Sequence, residues 1–136
     1  MATLPSGLPD QIGDAEELAR FLTQRNQFNS EMAKPAAFLP NPKDRETSLS
    51  RHGSEPIEHL WTLGVEAAGN RSLHGAAIFK ARVVRAAMLE VIADEPPPRH
   101  AVIRGWPWMG NDPELQKAKQ LELAIQIARA AEMLRR

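Results

Sequence analysis

The spacing of apolar residues near the start of the chain predicts an amphipathic helix. Phe21 and Leu22 follow Leu18 by three and four positions, and this spacing places the three side chains on one face of a helix. Asp14 precedes this pattern, and its side chain can accept a hydrogen bond from a free N–H group of the first turn. We therefore expect a first helix over residues 14–26.

A second helix is predicted over residues 54–68. Its apolar face repeats at helical spacing and consists of Ile57, Leu60, Trp61, Gly64 and Ala68. Ser54 is a suitable N-cap, and Pro56 is tolerated in the first turn because its missing N–H has no intrahelical partner there. Gly69 follows the last apolar position and favours a left-handed turn that ends the helix.

The longest helical pattern covers residues 112–134. Asp112 is the predicted N-cap, and Pro113 occupies the first helical position, where its fixed φ favours a helix. Between residues 121 and 131 the polar residues are Glu122, Gln126 and Arg129. They form one narrow stripe, so the apolar arc covers well over half of the helix circumference.

Two interpretations of this wide apolar arc stay open. In the first, the helix is central and lies between a sheet and the N-terminal helix. In the second, one side packs on its own core and the other contacts a second chain, with Leu123 and Ile127 as candidate contacts. The arc also holds small residues that permit close helix approach in either arrangement, namely Ala124, Ala128, Ala130 and Ala131.

Short alternating or β-branched segments predict a small sheet. Residues 47–51 alternate polar and apolar positions, and residues 100–104 contain a β-branched run. The pattern of residues 72–94 fits both helix and strand, and the sequence alone leaves this open. If the segment is β, the strands cover 73–79 and 88–93.

These elements fit one domain of the α+β class. A chain of 136 residues is near the commonest domain size, so one hydrophobic core is expected. The predicted architecture is an antiparallel or mixed sheet of three to four strands covered by two or three helices. Residues 1–12 are expected to form a loose arm, residues 27–46 a proline-rich connector, and residues 112–136 the C-terminal helical segment.

Composition narrows the classes of function. Seventeen basic and seventeen acidic side chains cancel, so the basic excess typical of nucleic-acid-binding proteins is missing. The chain has no cysteine, which excludes disulfides and thiolate nucleophiles or metal ligands. No apolar run approaches the ~20 residues that a membrane span needs, and the first residues do not resemble a secretory signal. We therefore expect a cytoplasmic protein that does not bind membranes, and the net charge does not indicate nucleic acid as a partner.

The segment from Pro96 to Trp108 is the most distinctive part of the sequence. It joins three prolines, a short predicted strand and two tryptophans beside a proline. Tryptophan and arginine are enriched at the energetically important positions of protein interfaces. The residues of a recognition edge would be Arg99, His100, Trp106 and Trp108. The alternative is a rigid crossover whose tryptophans cap the core.

Two Arg-His dipeptides, Arg51-His52 and Arg99-His100, support a catalytic alternative. Histidine exchanges protons near neutral pH, and arginine stabilises anionic charge. If neighbouring strands bring the two dipeptides together, they could bind a phosphate or assist cleavage of a phosphodiester. The alternative is that these are solvated surface side chains. The four histidines lack a metal-binding spacing and no nucleotide-binding glycine loop is present, so neither a metal nor a cofactor is expected.

The order of several motifs resembles a family of small, uncharacterised bacterial proteins. Its sharpest part is a Pro-Pro-Arg-His-Ala-x-Ile-x-Gly-Trp-Pro block at residues 97–107. Before it come Lys-Pro-x-x-Phe-Leu-Pro at residues 34–40 and Glu-Thr-Ser-Leu-Ser-Arg at residues 46–51. The likeness spans about residues 18–125. It implies a strand, then a helix, further strands and a terminal helix, with residues 72–94 largely β, and it implies no activity.

The sequence favours a non-catalytic bacterial binding or accessory protein that acts through contacts with another protein or through self-association. Accessory subunits of bacterial operons, including toxin neutralisers and defence components, often have this size and neutral charge, which is an argument from analogy. The alternative function is a small enzyme that acts on phosphodiesters or nucleotides. Its candidate residues are Arg51, His52, Arg99 and His100.

Overall fold

The computed structural model describes residues 2–52 and 55–136, and this part of the chain contains six β-strands and three α-helices. The strands are β1 (Glu17–Leu22), β2 (Thr47–Arg51), β3 (Gly75–Lys80), β4 (Glu90–Ala93), β5 (His100–Arg104) and β6 (Glu132–Arg135). The helices are α1 (Ile57–Ala68), α2 (Ala81–Ala86) and α3 (Pro113–Ala130). Two single-turn 3₁₀ helices, Arg25–Gln27 and Pro35–Ala37, lie in the connector between β1 and β2.

The six strands form one antiparallel sheet with the order β4-β5-β2-β1-β3-β6. The architecture is α+β, but the prediction of a sheet of three to four strands is wrong. β2 and β5 have the predicted bounds, and β3 and β4 lie close to the predicted ranges 73–79 and 88–93. The two strands that the sequence pattern does not reveal are β1 and β6, both of which it assigns to helices.

β1 occupies the segment predicted as the first helix, residues 14–26, because this segment is central in the sheet. It pairs with β2 on one side and with β3 on the other. Leu18 and Leu22 belong to the core on one face, whereas Ala19 and Phe21 point to the other face. Since both faces are covered, apolar residues do not alternate with polar ones, and their spacing imitates that of a helix.

β6 replaces the last part of the predicted helix 112–134. α3 ends at Ala130, and Glu132–Arg135 pairs with β3 at the edge of the sheet. Gly75 permits this close approach, since a Cβ at that position would lie 2.3 Å from the backbone oxygen of Leu134. Hydrogen bonding to β3 therefore overrides the local helical pattern.

The two faces of the sheet are covered by different elements. α2, α3 and the second 3₁₀ helix pack on one face, around a core that includes Leu18 and Ile127. On the other face α1 packs over β1 and β3, where Leu60 joins a smaller core with Phe21. β2 and β5 lie beside this second core, and their side chains on that face form one wall of the cleft described below.

α3 packs on the sheet through one face. Its buried residues are Gln120, Ala124, Ile127 and Ala128. On the outer side, Leu115 and Leu121 are 41% and 39% exposed. The interpretation that places this helix between the sheet and an N-terminal helix is wrong, because the N-terminal segment forms β1. Contact of the outer face with a second chain stays a proposal.

α1 begins directly after Pro56 and is followed by Gly69, whose φ of +62° lies in the region that favours glycine. The predicted cap, Ser54, lies outside the described residues.

The segment that the pattern left open, residues 72–94, contains β3, α2 and β4. Within the described part of the chain, no helix is long and apolar enough to cross a membrane.

The N-terminal arm contacts the rest of the fold at several points. The backbone oxygen of Pro9 accepts a hydrogen bond from Arg51 at 2.6 Å. The backbone N–H of Ser6 donates to Glu95 at 3.0 Å, and the Ile12 side chain is buried in the larger core. These contacts connect the arm to the end of β2 and to the segment that follows β4.

Candidate functional site

A cleft of about 610 Å³ opens at a gap in the sheet, between the end of α1 and the connector that joins β1 to β2. It lies where β1 and β2 diverge, since the two strands pair only at Leu18 with Arg51 and at Ala19 with Ser50. The polar side chains that line it include Arg20, Gln27, Ser48, Ser50, Arg71 and His100. A polar cleft at a gap in the sheet is the candidate site of this protein.

Arg20 lines the cleft from β1 and spans the gap between the strands. Its Nε donates to the backbone oxygen of Ala37 at 2.6 Å, and its Nη1 donates to that of Ser48 at 3.0 Å. Burial, and then the nearby charge of Arg71, lower the pKa of Arg20 to about 10. Among the described residues, Arg20 forms no ion pair with a carboxylate.

Arg71 approaches the same cleft from the end of α1. Its Nε and Nη2 donate to the backbone oxygens of Ala68 and Ala67, both at 3.1 Å, and its Nη1 donates to the hydroxyl of Thr23 at 3.3 Å. The carboxyl end of a helix carries partial negative charge and favours a cation. No described carboxylate pairs with Arg71 either. Two arginines that form no ion pair within the described part of the chain thus line one cleft.

His100 lines the cleft from β5, opposite Ser50 of β2. Its Nδ1 lies 3.0 Å from the backbone oxygen of Asp94 and 3.3 Å from the carboxylate Oδ2 of the same residue. Because a carbonyl oxygen only accepts, Nδ1 carries a proton, and in the neutral ring Nε2 is then the acceptor. The imidazole is therefore held in one tautomer beside the hydroxyl of Ser50.

Glu46 is the carboxylate among the residues that line the cleft, and it is neutralised by a cation. Arg104 donates to it from β5, and this hydrogen bond raises the pKa of Arg104. The Glu46 carboxylate is thus already paired with Arg104. The electrostatic character of the cleft is therefore cationic, although the net charge of the whole chain is zero.

Three of the four residues predicted for phosphodiester chemistry meet outside this cleft. Arg51 is completely buried, with its guanidinium bonded to Glu16 at 2.5 and 2.7 Å. The Arg99 side chain donates to the backbone oxygens of Arg51 and His52 at 2.8 and 3.0 Å. The His52 ring is buried, and its Nδ1 has no partner among the described residues. Of the four, His100 alone lines the cleft.

The residues predicted to bind a partner lie in different surroundings. Trp106 and Ile127 are buried in the core, and the Trp106 Nε1 has no partner in the described part of the chain. Leu123 is half-buried against the same core. Trp108 is half-buried, and the guanidinium carbon of Arg45 lies 4.6 Å from its ring centre, a cation–π contact.

A smaller cavity of about 330 Å³ lies beside the start of α1 and is lined in part by Glu55, His59 and Arg99. Glu55 accepts from His59 at 3.0 Å and from Arg99 at 3.3 Å. The hydrogen bond with His59, aided by the charge of Arg99, lowers the pKa of Glu55. These contacts form a small ion-pair network.

Within the described residues, no group of three or more acidic or histidine side chains is placed to hold a metal ion.

Comparisons of the chain with protein-family models, with curated proteins and with solved structures found no match. Sequence reasoning singled out His100 but not Arg20 or Arg71, the two residues that give the cleft its charge. Arg20 lies within a predicted helix and Arg71 in a loop after Gly69, and no motif in the sequence connects them.

Proposed function

We propose that the protein binds a small phosphate-bearing ligand in the cleft between β1 and β2. The observation that carries the proposal is that Arg20 and Arg71, which pair with no described carboxylate, line the same concave site. Arginine is the side chain best suited to phosphate, because its planar group presents several N–H donors to the oxygens of one anion.

Unused donors support this assignment. A guanidinium has five N–H donors; Arg20 uses two of them on backbone oxygens, and Arg71 uses three on backbone and hydroxyl oxygens. The remaining donors form no hydrogen bond among the described residues, and an anion in the cleft could accept from them. The hydroxyls of Ser48 and Ser50 and the imidazole of His100 line the same cleft and can complete its hydrogen bonds.

The electrostatics of the cleft also favour an anion. The charge of Arg71 contributes to the lowered pKa of Arg20, so the two cations repel each other. A phosphate bound between them would offset this repulsion and the cost of burying Arg20. Binding of the anion would therefore raise the pKa of Arg20 toward its ordinary value.

The size and remaining lining of the cleft indicate a ligand larger than phosphate itself. Small-molecule sites commonly measure about 300–1,000 Å³, and this cleft falls within that range. Leu39, Pro40 and Pro97 also line it and offer apolar surface. A phosphomonoester with an apolar or aromatic group would use both parts of the cleft.

Calorimetric titration with phenyl phosphate and inorganic phosphate at constant ionic strength tests the proposal. We expect phenyl phosphate to bind more tightly, and Arg71→Gln to weaken it about tenfold or more, since it removes a charge-assisted interaction. Arg82→Gln is the matched control, because Arg82 is exposed on α2 and does not line the cleft. Absence of binding at millimolar ligand, or equal affinity of the two variants, would contradict the proposal.

A specific observation favours a second candidate function, contact with another protein through the outer face of α3. Leu115 and Leu121 are partly exposed there, and Ala118 lies between them on the same face. Leu115, Ala118 and Leu121 do not line the cleft, so the two functions are compatible.

A further inference from the structure

β6 is the outermost strand at one edge of the sheet. The N–H of Arg136 donates to the backbone oxygen of His74 at 3.1 Å. This bond shows which residues of β6 direct their backbone N–H and C=O groups toward β3. In an antiparallel pair every second residue bonds to its neighbour, so the N–H and C=O groups of Met133 and Arg135 point away from β3. No backbone hydrogen bond among the described residues occupies this outer side. An open strand edge is a template for another strand.

We propose that β6 pairs with β6 of a second copy of this chain, antiparallel about a two-fold axis through Leu134. The two six-stranded sheets would then join into one continuous sheet. Met133 of each copy would lie opposite Arg135 of the other, and each of these pairs would exchange two backbone hydrogen bonds. The outward groups of β6 would thus be satisfied by the second copy.

Side-chain charge selects this register. With the axis at Leu134, Glu132 of each copy lies opposite Arg136 of the other on the same face of the sheet, and opposite charges at such positions attract. With the axis at Met133, Glu132 would lie opposite Leu134, and Arg136 opposite Ala130. Charge complementarity therefore favours the first register, which repeats the same ion pair twice by symmetry.

The other edge of the sheet lacks this complementarity. β4 is the strand at that edge. A two-fold axis at Ile92 would place Glu90 opposite Asp94, so that like charges repel, and an axis at Val91 would place Glu90 opposite Ile92. If only the β6 edge pairs with a second copy, association stops at a closed dimer. If the β4 edge could also pair with itself, association would continue into an open fibre.

The first experiment is sedimentation velocity of the full chain with charge reversals. We expect a concentration-dependent dimer, and Glu132→Arg should weaken it about tenfold because two attractive pairs become repulsive. The double variant Glu132→Arg with Arg136→Glu restores opposite charges and should restore dimerisation. A wild-type chain that stays monomeric at high concentration overturns the proposal, as does a double variant that is no better than the single one.

A second pair of variants tests the backbone pairing itself. Met133→Pro removes an outward N–H and leaves the ladder with β3 intact, as edge strands permit; Met133→Ala removes most of the side chain but keeps the N–H. We expect the proline variant to be a folded monomer and the alanine variant to be a dimer, with folding checked by circular dichroism. Dimerisation that survives Met133→Pro but is lost in Leu121→Lys would assign the interface to α3 and overturn the proposal.

Discussion

At the scale of single residues, Arg51 shows how a predicted functional side chain can have a structural role. It is the largest side chain that the described fold buries completely. Two of its nitrogens donate to Glu16, and a third donates to the backbone oxygen of Pro9 at 2.6 Å. These bonds connect the end of β2 to the segment before β1. A buried charge is tolerated only with such partners.

Replacing Arg51 should therefore cost more than replacing a partly exposed arginine. We expect Arg51→Met to lower the free energy of unfolding by about 3 kcal/mol, because Glu16 and the oxygen of Pro9 lose their donor. Arg85→Met is the comparison, since Arg85 and Asp14 form an ion pair with 37% and 70% of their side chains exposed, and Arg85 also donates to the backbone oxygen of Ile12; the expected loss is about 1–2 kcal/mol. Urea denaturation followed by circular dichroism measures both, and equal losses would show that Arg51 is not a structural cation.

The residues of the cleft differ in how far sequence reasoning can find them. His100 stands in a distinctive motif, so it could be singled out before the fold was known. Arg20 and Arg71 are 51 positions apart in the chain and meet only because β1 and β2 diverge beside the end of α1. That divergence is a tertiary feature, and nothing in the local residue pattern records it.

At the scale of elements, the predictable strands are those with a local signal. Residues 47–51 alternate and residues 100–104 are β-branched, and each forms a strand with the predicted bounds. β1 is buried on both faces, so it has no alternation, and β6 follows a long helix without a proline or glycine between them. Both of these strands are specified by their pairing with β3, which short-range patterns do not contain.

The pairing of β6 with β3 depends on Gly75, and this gives a prediction at the same scale. In Gly75→Ala the new Cβ would lie 2.3 Å from the backbone oxygen of Leu134, so the two strands must move apart. We expect a loss of about 1–3 kcal/mol in the free energy of unfolding, with faster amide exchange in β6.

The control for this substitution is Gly110→Ala. A Cβ added at Gly110 would meet open space, and the φ of this residue is not positive, so the change in the free energy of unfolding should stay within about 0.5 kcal/mol. Thermal unfolding and hydrogen exchange compare the two variants. If amide exchange in β6 is as slow in Gly75→Ala as in the wild type, Gly75 is not what allows the strand to pack.

At the scale of the whole molecule, Glu95 connects the N-terminal arm to the sheet. Its carboxylate accepts from the hydroxyl and the backbone N–H of Ser6, and from the backbone N–H of Arg99 at 3.2 Å. Burial acts to raise the pKa of Glu95, but these hydrogen bonds outweigh it and lower the pKa below the ordinary value of 4.5. The arm and the segment between β4 and β5 are thus held together by one ionised group.

This connection predicts how stability responds to acid. Because the pKa of Glu95 is lower in the folded chain than in the unfolded one, its contribution is present above pH 4.5 and is lost as pH falls through that value toward the folded pKa. We expect the urea midpoint to fall over this window, and Glu95→Gln to be less stable at pH 7 but less sensitive to acid. Glu122→Gln, on the exposed side of α3, should keep the wild-type acid response. The protection factor of the Ser6 amide, which corrects for the intrinsic pH dependence of exchange, should fall in the same window. An arm whose protection factor is unchanged after Glu95 has been protonated would show that other contacts hold it.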